Sequence, residues 1–260
     1  MTAEIQLLVR ADDIGSSHAA NLACVKALRD GIARSVEIMA PCSWFPEAVS
    51  LLKDLPAGRD VGVHLTLTSE WPNVKWRPLT HCPSLTDELG YFLPRIWPRF
   101  DGDLCLRNRP WKRDEVEAEF RAQIELCQAQ LPELNHLSYH MGCNDADPRI
   151  GTLCRELAVE YELAADPFAA GFKSIPLAPK SEIANTTERL HQALSCLQPG
   201  KWILIDHPSL DNEEMQGICN VNGRKIARER QHFTDACCSP SLLELIRHRN
   251  IQLVSYAARG

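Results

Sequence analysis

Two adjacent carboxylates, Asp12 and Asp13, follow a short apolar run near the start of the chain. Leu7, Leu8 and Val9 are typical of a buried strand, so the pair would sit where that strand leaves a sheet. Neighbouring carboxylates repel each other in a low-dielectric setting unless a cation or a shared proton relieves them. Taken alone, the pair is equally compatible with a solvated turn in which Asp12 caps the next segment.

Three histidines occupy comparable positions along the rest of the chain. His64 lies near the end of a predicted third strand, His140 ends a fourth, and His207 follows a sixth. In a parallel barrel the carboxyl ends of all strands lie on one face, so these residues would converge there. One carboxylate and two neutral imidazoles can bind a divalent metal and leave positions for water and substrate. The second carboxylate could then accept a proton from water, and a histidine opposite could donate one to a leaving amine.

Each of these histidines also has an ordinary structural interpretation. His64 and His140 could be hydrogen-bonded core residues, and His207 before Pro208 could simply shape a turn. The other histidines lack the strand-end placement and receive no role: His18, His81, His136, His191, His232 and His248.

Alternating strand and helix patterns run through the whole chain. Strands are predicted at residues 7–9, 35–39, 60–67, 134–140, 163–165, 202–205 and 251–255. Helices are predicted at residues 21–30, from Pro46, at 114–130, 148–161 and 181–197, and from Ser239. Such a series implies an α/β fold with about seven parallel strands, wound into a barrel or left open. No linker or change in composition divides residues 1–260, so we expect one domain.

The stretch at about residues 68–112 has no clear periodicity and is rich in proline and aromatic residues. A loop of this length in a compact domain is usually functional or disordered, and its many large rings argue against disorder. We expect an ordered excursion that either walls a substrate cleft or packs its rings into the core.

The amino-acid composition limits which kinds of molecule the protein is expected to bind. A net charge of −6 is not typical of proteins that bind nucleic acid or an anionic membrane. Eleven cysteines without a C-x-x-C pair suit a reducing cytosol, and Cys24, Cys127 and Cys154 fall at apolar helix positions. With no signal-peptide pattern and no apolar stretch of about 20 residues, we expect a cytoplasmic protein that does not span a membrane. The oligomeric state is open, including a homodimer.

Several segments resemble, in order along nearly the whole chain, the motifs of the YdjC-like (ChbG/HpnK) carbohydrate deacetylases. Residues 11–17 (A-D-D-I-G-S-S) are similar to A-D-D-F-G-x-S, and residues 62–68 (G-V-H-L-T-L-T) to G-x-H-L-T-L. Residues 83–85 and 90–92 (P-S-L and G-Y-F) resemble P-S-L and G-x-F. Residues 117–123 (E-A-E-F-R-A-Q) match E-x-E-[FL]-x-A-Q, and residues 206–208 (D-H-P) resemble the late H-P-G element.

The resemblance implies a distorted (β/α) barrel, similar to a TIM barrel, that removes an N-acetyl group from an amino sugar by metal-dependent hydrolysis. Carried onto this chain, Asp13, His64 and His140 would be the metal ligands and Asp12 the general base. His207 would donate a proton or bind the substrate acetyl group. The cofactor would be a divalent ion, magnesium or zinc, and the partner a small N-acetylated carbohydrate.

Two departures bear on the substrate. The strand-four motif D-S-H-x-H-x-H reads S-Y-H-M-G-C-N at residues 138–144, which keeps only the histidine at 140. The H-P-G element reads H-P-S, with Ser209 in third place. Two alternatives therefore stand beside the deacetylase: a barrel metalloenzyme for another amide or ester, and a catalytically silent sugar-binding relative.

Overall fold

The computed structural model describes residues 4–55, 60–165, 167–182, 185–220 and 222–256. Seven strands form its sheet: β1 (Ile5–Ile14), β2 (Ser35–Ile38), β3 (Asp60–Leu65), β4 (His136–Tyr139), β5 (Lys173–Ser174), β6 (Gly200–Asp206) and β7 (Gln252–Val254). The helices of the first half are α1 (His18–Asp30), α2 (Phe45–Lys53), α3 (Arg113–Gln130) and α4 (Pro148–Glu160). Those of the second half are α5 (Thr186–Ser195), α6 (Glu213–Gly217), α7 (Ala227–Cys237) and α8 (Pro240–His248).

All strand pairings in the sheet are parallel. The strand order is β4-β3-β2-β1-β6-β5, and β7 pairs with the first half of β1. The sheet curls into a half-barrel, which confirms the predicted α/β distorted barrel of about seven parallel strands. The carboxyl ends of the strands therefore share one edge, as the sequence argument required.

The second half of the chain differs most from the predicted elements. The strand expected at 163–165 is reduced to one bridge between Ala164 and His136, while β5 consists of two exposed residues without an apolar pattern. Helices α6 and α7 were not predicted. The buried face of α7 carries Arg230 and Thr234 between its apolar residues, which weakens the hydrophobic periodicity that would reveal the helix. Helix α5 begins later than expected, and residues 183–184 of its predicted range lie outside the described residues.

The excursion at residues 68–112 is ordered, as expected. It contains two 3₁₀ turns, Pro83–Leu85 and Leu106–Asn108. Trp71, Trp76 and Phe92 are buried in the core, which favours packing as the role of these rings. The ring of Trp76 also lies edge-on to His140, with ring centroids 6.0 Å apart, so the excursion reaches the end of β4.

Helix α1 begins with a hydrogen-bonded cap that does not involve the aspartate pair. The Ser17 hydroxyl accepts a hydrogen bond from the backbone N–H of Ala20 at 3.0 Å. This geometry satisfies one of the free N–H groups of the first turn. The interpretation of Asp12 as the cap of the following segment is therefore wrong.

The three cysteines that the sequence placed at apolar helix positions are buried, as predicted. The eleven cysteines, all within the described residues, are free thiols, and Cys24, Cys127 and Cys154 are buried. Across the described residues, the search for a helix long and apolar enough to cross a bilayer finds none.

The inside of the curled sheet is polar. Barrel interiors are usually filled by branched apolar side chains. Here the inward positions of β1 to β4 hold buried polar residues, namely Arg10, Asp12, Ser35, Glu37, Asp60, His64, His136 and Ser138. Buried polar groups are costly unless each finds a partner, and these side chains hydrogen-bond mainly to one another.

Gly62 on β3 provides the space that this polar interior needs. A Cβ atom at Gly62 would overlap the ring of His136 and the carboxylate of Glu37, which are hydrogen-bonded across it at 2.7 Å. The position therefore has to be glycine for a steric reason rather than for backbone freedom.

We predict that Gly62→Ala destabilises the protein strongly, because the added methyl group separates a buried charged pair. Breaking such a pair costs about 3–5 kcal/mol of unfolding free energy. Urea denaturation followed by circular dichroism measures the change. The matched control is Gly217→Ala, where no atom lies within 4 Å of the added methyl and stability should hold. Equal stability of the two variants would contradict the role of Gly62.

Candidate active site

A β-bulge at the end of β1 turns both aspartates toward the same space. Ala11 pairs with Val36 and Ile14 with Ile38, so three steps on β1 oppose two on β2. Asp13 takes up the extra step with φ of 73°, in the left-handed region. Adjacent residues of a regular strand would face opposite sides of the sheet. Here Asp12 Oδ2 and Asp13 Oδ1 approach the same nitrogen, His64 Nε2, at 3.9 and 3.6 Å.

Asp13 meets two of the predicted histidines in a buried cluster. Its Oδ1 lies 3.6 Å from His64 Nε2 and 3.3 Å from His140 Nδ1. One ligand atom from each of the three residues lies within 4.8 Å of the others. The structure thus brings together the three side chains that the sequence placed at three separate strand ends.

Several atoms of this cluster are buried without a hydrogen-bond partner. Among the described residues, no group makes a hydrogen bond of good geometry to either carboxylate oxygen of Asp13 or either ring nitrogen of His140, although Arg230 and His140 lie at ion-pair distance from Asp13. Buried polar atoms are rarely left in this state, and each such case calls for a missing ligand or ion. A carboxylate oxygen with two imidazole nitrogens is a donor set that divalent metals accept. The residues therefore fit a bound cation.

Asp12 and Asp13 lie in different electrostatic environments. Arg10 donates to both oxygens of Asp12, at 2.7 and 2.8 Å. Burial nevertheless raises the pKa of Asp12. Burial acts in the same direction on Asp13, but His207, His140 and Arg230 outweigh it and hold the pKa of Asp13 well below its usual range. Carboxylates whose pKa values are pushed apart can take different chemical roles.

His207 lies at the rim of the cluster, just past the end of β6. Its side chain is 40% exposed, and its Nε2 is 3.9 Å from Asp13 Oδ2. Its Nδ1 lies 3.6 Å from Asp206 Oδ1. Burial lowers the pKa of His207, but the carboxylates of Asp13 and Asp206 outweigh this effect and raise it to about 9.

Comparison with known proteins identifies the family. The family profile described as "YdjC-like protein" matches residues 6–248. The chain belongs to the YdjC-like family. The resemblance found from the motifs is thereby confirmed.

Named relatives cover this YdjC-like chain to different extents. A carbohydrate deacetylase of Thermus thermophilus is 36% identical over 178 residues, which span 67% of this chain and 54% of that protein. Carbohydrate deacetylase 2 of Listeria innocua is 26% identical over 262 residues, covering 97% of this chain and 98% of that protein. A crystal structure from Enterococcus faecalis, named for cellobiose-phosphate cleavage, has a TM-score of 0.78 at 21% identity and covers 98% of both chains. That structural likeness supports the fold.

Arg230 is a site residue that the sequence argument missed. It extends from α7, and its Nη1 lies 3.1 Å from Asp13 Oδ2. Its guanidinium packs over Trp71 of the excursion, 5.6 Å from the ring centroid. The positive charge of Arg230 compensates the negative charge of the buried Asp13 carboxylate. Because Arg230 lies among polar residues that interrupt the apolar positions of α7, the sequence offered no sign that this arginine turns inward.

Arg10 and Glu37 were also missed, although the sequence held a signal. Each is a charged residue inside a strand whose neighbours are apolar, and such a strand is buried on both faces. A charge at such a position must have a buried partner. Glu37 meets its partner in His136, at 2.7 Å, which is a histidine to which no role was assigned.

A cavity of about 690 Å³ is connected to this cluster through Arg10, although Asp13, His64 and His140 do not line it. Arg10, Tyr139 and Ile205 line it from the sheet, and Gly151 and Thr152 line it from α4. The guanidinium that holds Asp12 thus forms part of the cavity wall. The volume lies in the range of small-molecule sites.

We predict that backbone strain at Asp13 can be measured by comparing two substitutions. Asp13→Gly should be more stable than Asp13→Ala by about 1 kcal/mol, because an alanine in the left-handed region is strained and a glycine is not. Both variants lose the same carboxylate, so urea denaturation of the pair isolates the backbone effect.

Asp12, whose φ is outside the left-handed region, supplies the control. There the order should reverse, with Asp12→Ala more stable than Asp12→Gly by roughly 0.5 kcal/mol. The same order at both positions would show that the bulge is not strained as described.

Proposed function

We propose that this protein is a metal-dependent hydrolase that removes an N-acetyl group from an amino sugar or a small N-acetylated saccharide. The observation that carries the proposal is the buried Asp13, His64 and His140 cluster, whose candidate ligand atoms lie within 4.8 Å of one another beside the Asp12 carboxylate. Membership of the YdjC-like family and relatives named carbohydrate deacetylases give the reaction class. We treat the chain as a single domain that carries the complete site.

In this proposal Asp13, His64 and His140 hold a divalent cation, magnesium or zinc. When bound, the cation acts as a Lewis acid that polarises the amide carbonyl and makes water a better nucleophile. The low pKa of Asp13 keeps its carboxylate ionised for this purpose. Burial lowers the pKa of His64 well below its usual range, so the ring is neutral and offers a lone pair.

Asp12 is the residue that we assign as the general base. Arg10 holds both of its oxygens, which fixes the orientation of the carboxylate without filling all of its lone pairs. Burial raises its pKa, so it accepts a proton from the attacking water more readily than an exposed aspartate would. Its Oδ2 lies 3.9 Å from His64 Nε2, close to where the cation would sit.

His207 is the residue that we assign as the proton donor to the leaving amine. Its ring is at the exposed rim, on the Asp13 Oδ2 side of the cluster, where a substrate can approach. With a pKa of about 9 the ring carries its proton at neutral pH. Collapse of the tetrahedral intermediate requires a proton on the nitrogen, which a positioned imidazolium can supply. The cavity beside Arg10 offers space for the sugar.

The altered segment after β4 favours a second candidate, hydrolysis of another amide or ester by the same residues. Gly142 and Asn144 stand where the resembled motif has its outer histidines, and Asn144 lines the cavity. A panel of N-acetylated sugars assayed for acetate, beside a panel of other acyl substrates, separates the two candidates.

We predict that chelation abolishes acetate release and that added Mg²⁺ or Zn²⁺ restores it, because the cluster supplies the cation that polarises the amide. His64→Ala and His140→Ala should lose both bound metal, measured by elemental analysis, and activity. The control is His191→Ala, an exposed histidine on α5, which should keep both. Full turnover by metal-free protein would refute the mechanism.

We predict that replacing each aspartate by a neutral residue affects metal binding and kcat differently. Asp12→Asn should keep the metal and lose about 10²–10⁴-fold in kcat, because only the general base is removed. Asp13→Asn should lose the metal itself, and asparagine tolerates the left-handed backbone there. Calorimetric metal titration and steady-state kinetics on both variants test the assignment. Loss of metal from Asp12→Asn with retention by Asp13→Asn would reverse the roles.

A further inference from the structure

A row of hydrogen bonds runs beneath the cluster along the inward faces of β2, β3 and β4. It leads from Asp60 through Asn135, His136, Glu37 and Ser138 to His64. The assigned chemistry uses only its last member, His64. Every link joins buried or half-buried atoms, so each donor and acceptor must be matched within the protein.

The first links surround His136 with hydrogen-bond acceptors. The Asn135 amide nitrogen donates to Asp60 Oδ1 at 2.8 Å, which turns the amide oxygen toward His136 Nδ1 at 2.6 Å. On its other side, His136 Nε2 faces the Glu37 carboxylate at 2.7 Å. Both partners of the ring are acceptors, so both ring nitrogens are placed to donate a hydrogen bond. Tyr256 stacks on it, with ring centroids 3.7 Å apart.

The remaining links fix the direction of the Ser138 hydroxyl. An ionised Glu37 can only accept, and its Oε2 takes the single Ser138 proton at 2.5 Å. The Ser138 oxygen also lies 2.7 Å from His64 Nδ1. With its proton already committed, the hydroxyl can only accept from that nitrogen. His64 therefore carries its proton on Nδ1 and presents a lone pair on Nε2, the atom that faces Asp13 Oδ1.

We propose that Ser138, oriented by Glu37, is a positioning residue that holds His64 in the Nδ1-protonated tautomer needed to bind a cation through Nε2. The inference rests on the proposed function for the identity of the ligand, a divalent cation, but not for the tautomer. Hydrogen-bonded partners behind a ligating histidine commonly fix its tautomer and orientation in this way.

The strand register makes this arrangement rigid. His64 and Ser138 are direct partners across β3 and β4, and Glu37 pairs with Gly62 across β2 and β3. Glu37 also accepts from Ser35 at 2.9 Å, and its charge lies 3.9 Å from Arg10. Since Gly62 has no side chain, the Glu37 carboxylate can cross β3 to reach Ser138 and His136 on β4.

The first experiment observes the tautomer directly in metal-free protein. 15N NMR of histidine-labelled protein distinguishes the protonated from the unprotonated ring nitrogen, and His64→Gln and His136→Gln variants assign the signals. We expect His64 to be protonated on Nδ1 alone and His136 on both nitrogens. A His64 proton on Nε2 would overturn the proposal, whatever the protein does with metal or substrate.

The second experiment measures the consequence for metal binding with a matched pair of variants. Ser138→Thr keeps the hydroxyl, whereas Ser138→Val has the same shape without it. With Zn²⁺ alone as the probe, competed against a chelating dye, we expect Ser138→Val to bind about 10–100-fold more weakly than Ser138→Thr. Because Ser138→Val leaves buried groups of Glu37 and His64 without their partner, we expect thermal denaturation to show it less stable than Ser138→Thr, and the Zn²⁺ affinities are compared at a temperature at which both variants are folded.

The outcomes separate this inference from the proposed function. Equal Zn²⁺ affinity of the threonine and valine variants, with tight binding by both, would overturn the role of Ser138 and leave the hydrolase proposal intact. A wild-type protein that binds no divalent cation but shows the expected His64 tautomer would overturn the hydrolase proposal and support the hydrogen-bond assignment.

Discussion

The buried pair between Glu37 and His136 is the interaction on which the inside of this half-barrel depends. A buried charge without a partner would be too costly, so β2 and β4, which lie on either side of β3, have to bring the two side chains together across Gly62. From this pair, hydrogen bonds extend to Ser138 and on to His64 at the edge of the sheet. The buried pair and the candidate site are thus parts of one hydrogen-bond network, which ends at His64, a residue that we propose as a metal ligand.

A second constraint operates at the carboxyl end of β1. Two adjacent carboxylates can share one site only if the strand is irregular, and the bulge with Asp13 in the left-handed region provides this. Each carboxylate then forms an ion pair with a different arginine. Arg10, within the sheet, pairs with Asp12, and Arg230, from α7, pairs with Asp13. The difference in partners gives chemically identical neighbours separate properties, which the proposed roles of base and ligand require.

The sequence predicted the parts of the site that follow from strand alternation. His64 and His140 were expected near Asp13 because parallel strands end on one face, and the cluster confirms that they converge. The same reasoning passed over His136, because a histidine within a strand is indistinguishable from an ordinary core residue until its partners are known. Helix α7 was missed for a related reason, since Arg230 and Thr234 interrupt the apolar residues of its inward face.

By itself, the sequence determined the α/β class, the approximate strands and the family, because these depend on local periodicity and on motifs that can be read along the chain. Only the tertiary structure decided that the strand after β4 shrinks to a bridge, that the aspartates face one point, and that Glu37 reaches Ser138. Those features depend on register, on one inserted residue and on pairings between distant strands. The direction of a buried hydrogen bond depends on which groups face each other in the folded protein. Those groups come from four strands, so no single segment of the sequence specifies it.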